Sequence, residues 1–260
     1  MNIKNQIVSW IKDYSNKSGV NTLVIGISGG IDSALTSMLC AETGLKTILF
    51  SMPIKQNKEQ LKRAHNHISV LVDKYENVSG IEKDLTDVYE EFERTFSNIS
   101  PNYLALANSR ARLRMMSLYY IAQVNNGLVV GTGNKVEDFG VGFFTKYGDG
   151  GVDISPIADL TKTQVRGLAR EMGIHQAILD APPTDGLWDD SRTDEDQIGA
   201  SYEELEWAMD YIENNRLYNL TLRQKEVIII YKKFNRLNAH KMQAIPVCKI
   251  RSGENHFLKK

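Results

Sequence analysis

The run Thr22-Leu-Val-Ile-Gly-Ile27, followed at once by Ser28-Gly29-Gly30-Ile31-Asp32-Ser33, constrains this chain more than any other stretch. A short apolar run rich in β-branched residues and bounded by glycine reads as a strand buried on both faces. Residues Asp32–Glu42 then read as a helix, stopped near Gly44. Lys46–Ser51 reads as a second strand, ended by Pro53. Helix is expected over Asn57–Val72, strand over Glu76–Ile81, and helix again over Lys83–Phe96 and Asn102–Gln123. Leu128–Gly131 reads as another buried strand that opens onto a glycine-rich stretch reaching Gly151. Short apolar strands alternating with longer helices predict an α/β fold, a doubly wound and mainly parallel sheet flanked by helices.

Around this frame, Ile3–Tyr14 reads as an amphipathic helix with Ile7, Trp10 and Ile11 on its apolar face. Lys162–Met172, Tyr202–Asn214 and Leu222–Asn235 read as helices, and Pro182 to Asp196 as a polar, mobile loop. The 260 residues fit one domain, 1–260, with a full core.

The turn between the first strand and its helix has the chemistry of a phosphate site. Backbone N–H groups point outward there, and the helix dipole favours an anion. Glycines let a phosphate approach, Ser28 and Ser33 add hydroxyl donors, and Asp32 suits Mg2+, which commonly joins a carboxylate to phosphate oxygens. The loop is neither a Walker A loop nor a dinucleotide fingerprint, since the lysine and the glycine spacing are absent. The plainer alternative is a tight strand-to-helix turn with Asp32 in the first helical turn.

Charge limits the partners. With 31 basic against 32 acidic side chains, the net charge is -1, which gives no footprint for nucleic acid or a membrane surface. No run approaches the roughly 18 apolar residues of a membrane span, and the N-terminus has no secretory pattern. Two cysteines, Cys40 and Cys248, cannot build a disulfide framework or a thiolate metal site by themselves. Cys40 reads as a small buried hydrophobe. A cytoplasmic protein is expected.

The whole Ser-Gly-Gly-X-Asp-Ser string after a buried strand resembles the PP-loop ATP pyrophosphatases, which cleave ATP between the α and β phosphates. Gly131 to Asp153, with its core Phe143-Phe-Thr-Lys-Tyr-Gly-Asp149, resembles the ammonia-dependent NAD synthetases more specifically. Ala111-Arg-Leu-Arg-Met115, Ser155 to Lys162, Ala181-Pro-Pro-Thr184 and Ala239-His240-Lys241 follow in the order of that family. One residue is inserted between Glu137 and Gly142 relative to the commoner pattern, and the stretch through Trp188, Asp189 and Asp190 matches less closely.

The resemblance implies a set of roles. ATP would be held by Gly26, Ile27, Ser28, Gly29, Gly30, Ile31, Asp32, Ser33, Thr132, Lys162 and Thr184. Arg112, Lys146, Asp153, His240 and Lys241 would hold deamido-NAD, and Asp32 and Glu137 would hold Mg2+. Asp32 and Lys162 would carry the chemistry, while Arg114 reads as an arginine on a helix face. The implied reaction is adenylation of the nicotinate carboxylate, then attack by ammonia to give NAD, AMP and pyrophosphate. A homodimer is implied as well. The chain has no room for a glutaminase domain, so free ammonia is the expected donor. A different PP-loop ligase, or an adenine-nucleotide sensor without activity, remain as competing readings.

Overall fold

The computed structural model describes residues 2–100, 102–184, 193–214 and 219–250. Helix α1 (Ile3–Ser18) leads into β1 (Thr22–Gly26), α2 (Ile31–Ala41), β2 (Lys46–Ser51), α3 (Lys58–Lys74) and β3 (Val78–Glu82). Two helices, α4 (Thr86–Thr95) and α5 (Tyr103–Val124), then precede β4 (Gly127–Val129). All four strands are parallel in the order β3-β2-β1-β4, and an isolated parallel bridge from Val130 to Ile154 extends the sheet beyond β4. The predicted doubly wound sheet is therefore present, and its C-terminal strand ends point to one crevice.

Alternation along β1 divides the interior. Leu23 and Ile25 face a large core shared with Leu35 and Leu39 of α2 and with Val165 and Leu168 farther along. Val24 faces the other way, meeting Ile48, Val129 and Ala122 beneath α5. A strand covered on both sides needs an unbroken apolar run, which is what Thr22–Ile27 supplies. Cys40 is fully buried in the first core, and burial pushes its thiol far above the usual range.

Beyond the sheet lie α6 (Lys162–Glu171), α7 (Gln176–Leu179), α8 (Asp194–Ile198), α9 (Tyr202–Glu213) and α10 (Leu222–Met242). A third apolar cluster joins α9 and α10 to a π-helical turn over Val136–Val141. Four of these late helices, α6, α8, α9 and α10, begin with a capping box, in which a threonine or serine side chain and the third helical residue satisfy each other's backbone.

Some expectations are corrected. Trp10 is 44% exposed and meets Tyr14 in a tilted ring contact at the surface, because the inner stripe of α1 is Ile7, Ile11 and Ser15. Residues 194–196 are the first turn of α8, because Thr193 caps them; they were expected in a loop. The remainder of that loop, 185–192, including Trp188, Asp189 and Asp190, lies outside the described residues. Helix α10 continues two turns past Asn235, and this carries Asn238, His240 and Lys241.

One core contact makes stability depend on pH. His67 on α3 is buried, with Nε2 2.8 Å from Ser37 Oγ on α2. Burial pushes its imidazole down to about 4, outweighing a backbone contact at Ala34. Between that value and about 6.5 the unfolded chain binds the proton that the folded chain refuses, so stability falls as pH drops through this window. Chemical denaturation at pH 7.5 and 4.5 is expected to show a loss of roughly 2–3 kcal/mol from this residue. The slope should flatten in His67→Gln; an unchanged slope would assign the loss elsewhere.

Candidate active site

The phosphate loop is pinned from below and open above. Gly29 takes φ +85°, and a Cβ there would lie 2.3 Å from the carbonyl oxygen of Gln60 on α3. Glycine is therefore required by both conformation and space. Ser33 Oγ donates to the Gly30 carbonyl at 3.0 Å, Ser28 N donates to Ser33 Oγ at 3.3 Å, and Gly30 N donates to Ser28 Oγ at 3.2 Å. The N-cap of α2 is Gly30, which offers no side-chain bond to the first helical turn. Gly30, Ile31, Asp32 and Ser33 line a cavity of about 650 Å³, within the range of ligand pockets.

Across from the loop, three ionisable groups meet. Lys162 Nζ lies 2.6 Å from Asp32 Oδ2 and 3.1 Å from Glu137 Oε1, and its side chain is only 4% exposed. Asp32 comes from α2, Glu137 from the π-helical turn and Lys162 from the first turn of α6, so the fold joins positions far apart in sequence. Asn134 ties the two acids together, donating Nδ2 to Asp32 Oδ1 at 3.3 Å and accepting from Glu137 N at 3.2 Å. Tyr202, fully buried, donates its hydroxyl to Glu137 Oε1, and its ring lies 4.7 Å from Lys162 Nζ.

The electrostatics follow from this crowding. Burial raises the Asp32 carboxyl, with Lys162 opposing and Glu137 adding to the rise. For Glu137 burial also pushes upward, but Lys162 and the Tyr202 hydroxyl prevail and hold it below the usual range. Lys162 stays charged: burial opposes the charge, but two carboxylates more than restore it. Asp138, also on the cavity wall, is pushed up to about 8 by burial and then by Glu137, Asp149 and Asp32.

Two carboxylate oxygens already converge on one cationic point. Mg2+ is commonly bound by one or two carboxylates plus phosphate oxygens and water, so the donor chemistry of Asp32 and Glu137 fits that ion. Among the described residues no group of three or more potential metal ligands is found, so the remaining ligands would come from nucleotide and solvent.

The π-helical turn over Val136–Val141 lies in the stretch where the resemblance implies an extra residue. Widening one turn absorbs an extra residue without shifting the flanking register. Helix α10 closes its end: Asn235 Nδ2 donates to the Gly140 carbonyl at 2.7 Å, and Asn238 Nδ2 to that of Val141 at 2.8 Å. The next segment is tied in the same way, with Lys241 Nζ donating to the Phe144 carbonyl and Lys146 Nζ to the His240 carbonyl, both at 2.7 Å.

Most residues singled out from the sequence reach this cavity. Gly26, Ile27, Ser28, Gly30, Ile31 and Ser33 line its phosphate side with Asp32. Thr132 and Thr184 join Glu137 and Lys162 on the next wall. Arg112, Lys146, His240 and Lys241 line the cavity as well. Two do not line it. Gly29 is turned into α3, and Asp153 lies on the far side of α5, where it accepts from Tyr119 Oη at 3.0 Å and Val129 N at 2.8 Å.

Others were missed. Tyr202 carries no motif of its own, and Asn134 lies within the Gly131–Asp153 stretch without a role assigned to it. Arg114, read as an arginine on a helix face, instead reaches the cavity wall and donates Nε to the Met52 carbonyl at 3.0 Å, because Ala111 and Leu118 bring that side of α5 over the sheet.

The family model described as NAD synthase matches residues 3–244. The chain belongs to the NAD synthase family. A curated relative in Finegoldia magna, named NH(3)-dependent NAD(+) synthetase, is 38% identical over 210 residues, 80% of this chain and 83% of that protein. A solved NMN synthetase of Francisella tularensis is 31% identical with a TM-score of 0.84, covering 95% of this chain and 98% of that one. The NH3-dependent NAD synthetase of Campylobacter jejuni is 26% identical with a TM-score of 0.77, covering 96% and 100%. This NAD synthase family member has no helix, among the described residues, long and apolar enough to cross a membrane.

Proposed function

We propose that this chain is an ammonia-dependent NAD synthetase, one synthetase domain that converts deamido-NAD, ATP and ammonia to NAD, AMP and pyrophosphate. The observation that carries the reading is Lys162 held between Asp32 and Glu137 beside an uncapped, glycine-built helix start. The curated relatives named for this activity support it.

The nicotinate carboxylate attacks the α-phosphorus of ATP, and pyrophosphate leaves. Ammonia then attacks the activated carbonyl carbon, AMP leaves, and one proton is given up. A carboxylate needs no base to act as nucleophile, so the protein's work is positioning and charge neutralisation. The Ser28–Ser33 loop offers N–H and hydroxyl donors to phosphate oxygens, and Lys162 supplies the fixed positive charge. Mg2+ bound through Asp32 and Glu137 would offset the charge on the leaving pyrophosphate. Arg112 and Lys146 on the cavity wall suit the anionic pyridine nucleotide, arginine being able to pair two oxygens at once.

Purified protein should form NAD from deamido-NAD, ATP, Mg2+ and ammonium, with no turnover on glutamine alone. Rapid turnover on glutamine would refute the choice of donor. A second reading is that the acceptor is nicotinate mononucleotide, favoured by the likeness to the Francisella tularensis NMN synthetase. The ratio of kcat/KM for the two acids decides between them; a ratio favouring the mononucleotide by tenfold or more would replace deamido-NAD as substrate.

The protein also acts as a homodimer in this reading. Met116, Tyr120 and Val124 form an exposed apolar stripe at helical spacing along α5, each at least 60% exposed, with Asp153 and Tyr119 beside it. Burying such a stripe against a second copy removes it from water, and would bring Asp153 to a dinucleotide that crosses the interface. Light scattering should give twice the monomer mass. An active monomer would contradict this.

A further inference from the structure

The positive charges on the cavity wall are not equally available. Lys162 is neutralised by Asp32 and Glu137, and Arg166 pairs with Glu203 at 3.0 Å. Lys146 and Lys241 are tied to the carbonyls of His240 and Phe144, and Arg112 turns both Nε and Nη2 onto the Lys146 carbonyl.

Two arginines are held differently. Arg63 on α3 donates Nε to the carbonyl of Gly29 in the phosphate loop at 3.2 Å. Arg114 on α5 donates Nε to the carbonyl of Met52, just past the end of β2, at 3.0 Å. Both line the cavity, and among the described residues neither places a terminal Nη group in a hydrogen bond or ion pair. Each guanidinium is thus oriented by one backbone carbonyl while its outer amino groups remain unused.

The placement points to the loop. Gly29 is locked onto α3 by close packing on Gln60, so Arg63 moves with the phosphate loop. Met52 and Leu118, one turn beyond Arg114, both lie 3.4 Å from where a Cβ on Gly26 would stand, at the end of β1. The two arginines therefore approach the same strand end from α3 and from α5. A planar fork with two free donors matches a phosphate better than a carbonyl does. Burial and the neighbouring Arg110 push Arg114 down to about 10 against the opposing pull of the Asp149 carboxylate, and a further anion would offset what remains of that cost.

We infer that Arg63 and Arg114 form a two-armed clamp for the phosphate groups of ATP, one arm on each side of the Ser28–Ser33 loop. The inference deepens the synthetase reading and rests on it. The clamp adds positive charge to that of Lys162, which two carboxylates share.

Isothermal titration of the full chain with ATP in Mg2+ buffer, without pyridine nucleotide, tests the clamp. Arg63→Met and Arg114→Met should each weaken ATP binding at least tenfold, with adenosine and deamido-NAD binding within twofold of wild type. Arg63→Lys and Arg114→Lys should fall between, retaining charge but losing the fork. ATP binding within twofold of wild type in the methionine variants would overturn the clamp, as would an equal loss of adenosine affinity or a loss confined to deamido-NAD. A wild-type chain that binds no ATP would instead overturn the synthetase reading beneath it.

Discussion

Replacing Lys162 with methionine should reduce AMP formation by at least about a hundredfold, the scale seen when one pre-positioned electrostatic contact is removed from a transition state. The same change should destabilise the fold. Asp32 and Glu137 would be left facing each other without the cation between them, and breaking a buried pair from one side costs about 3–5 kcal/mol. The two effects separate experimentally. Divalent cation should raise the melting temperature of Lys162→Met more than that of wild type, by binding where the ammonium stood, yet leave the rate low. If Lys162→Met made AMP and pyrophosphate at the wild-type rate, Lys162 would have no part in the chemistry.

Gly29→Ala should be the most damaging single change in the phosphate loop. Alanine at φ +85° pays a conformational penalty of about 1–2 kcal/mol. Its methyl group would also enter the space of the Gln60 carbonyl at 2.3 Å, and forcing an atom into a packed interior costs about 1–3 kcal/mol more. Helix α3 must move away or the loop must flatten, and either displaces the loop's N–H and hydroxyl donors. Gly44→Ala serves as the control: that glycine also has positive φ, at +74°, but its Cβ meets nothing within 4 Å. A thermal melt should show Gly29→Ala falling well below Gly44→Ala. Equal melting temperatures would mean that the packing on α3 is not what demands glycine at position 29.

The sheet was legible because its strands are covered on both faces and so leave unbroken apolar runs, as at Thr22–Ile27. The loop was legible because its demands are local: glycine for space, serine for donors, an acid in the first helical turn. Convergence was harder. Lys162 lies 130 residues from Asp32, and no local pattern states that they meet; the resemblance to a family proposed both, and the fold brings them to 2.6 Å. Tyr202 acts by touching Glu137 rather than by belonging to a motif, so sequence offered no sign of it; Asn134 lies within the Gly131–Asp153 stretch, but nothing local says that it bridges the two acids. Arg114 was misjudged because an arginine on a helix reads alike whether it meets solvent or a crevice. Trp10 failed for the related reason that a helix stripe has edges, and periodicity alone does not say which edge is wet.

The grip of α10 on the π-helical turn and on the Phe143–Lys146 segment has a consequence for how the molecule is made. The Ser28–Ser33 loop is encoded before residue 35, yet one wall of the cavity beside it is fastened by Asn235, Asn238 and Lys241. Synthesis runs from the N-terminus and early units fold first, so the sheet can settle while that fastening is still untranslated. The ribosome must pass Lys241 before the crevice can close, and a product terminated ahead of that residue would hold the Ser28–Ser33 loop with the opposite side of its cavity unlatched.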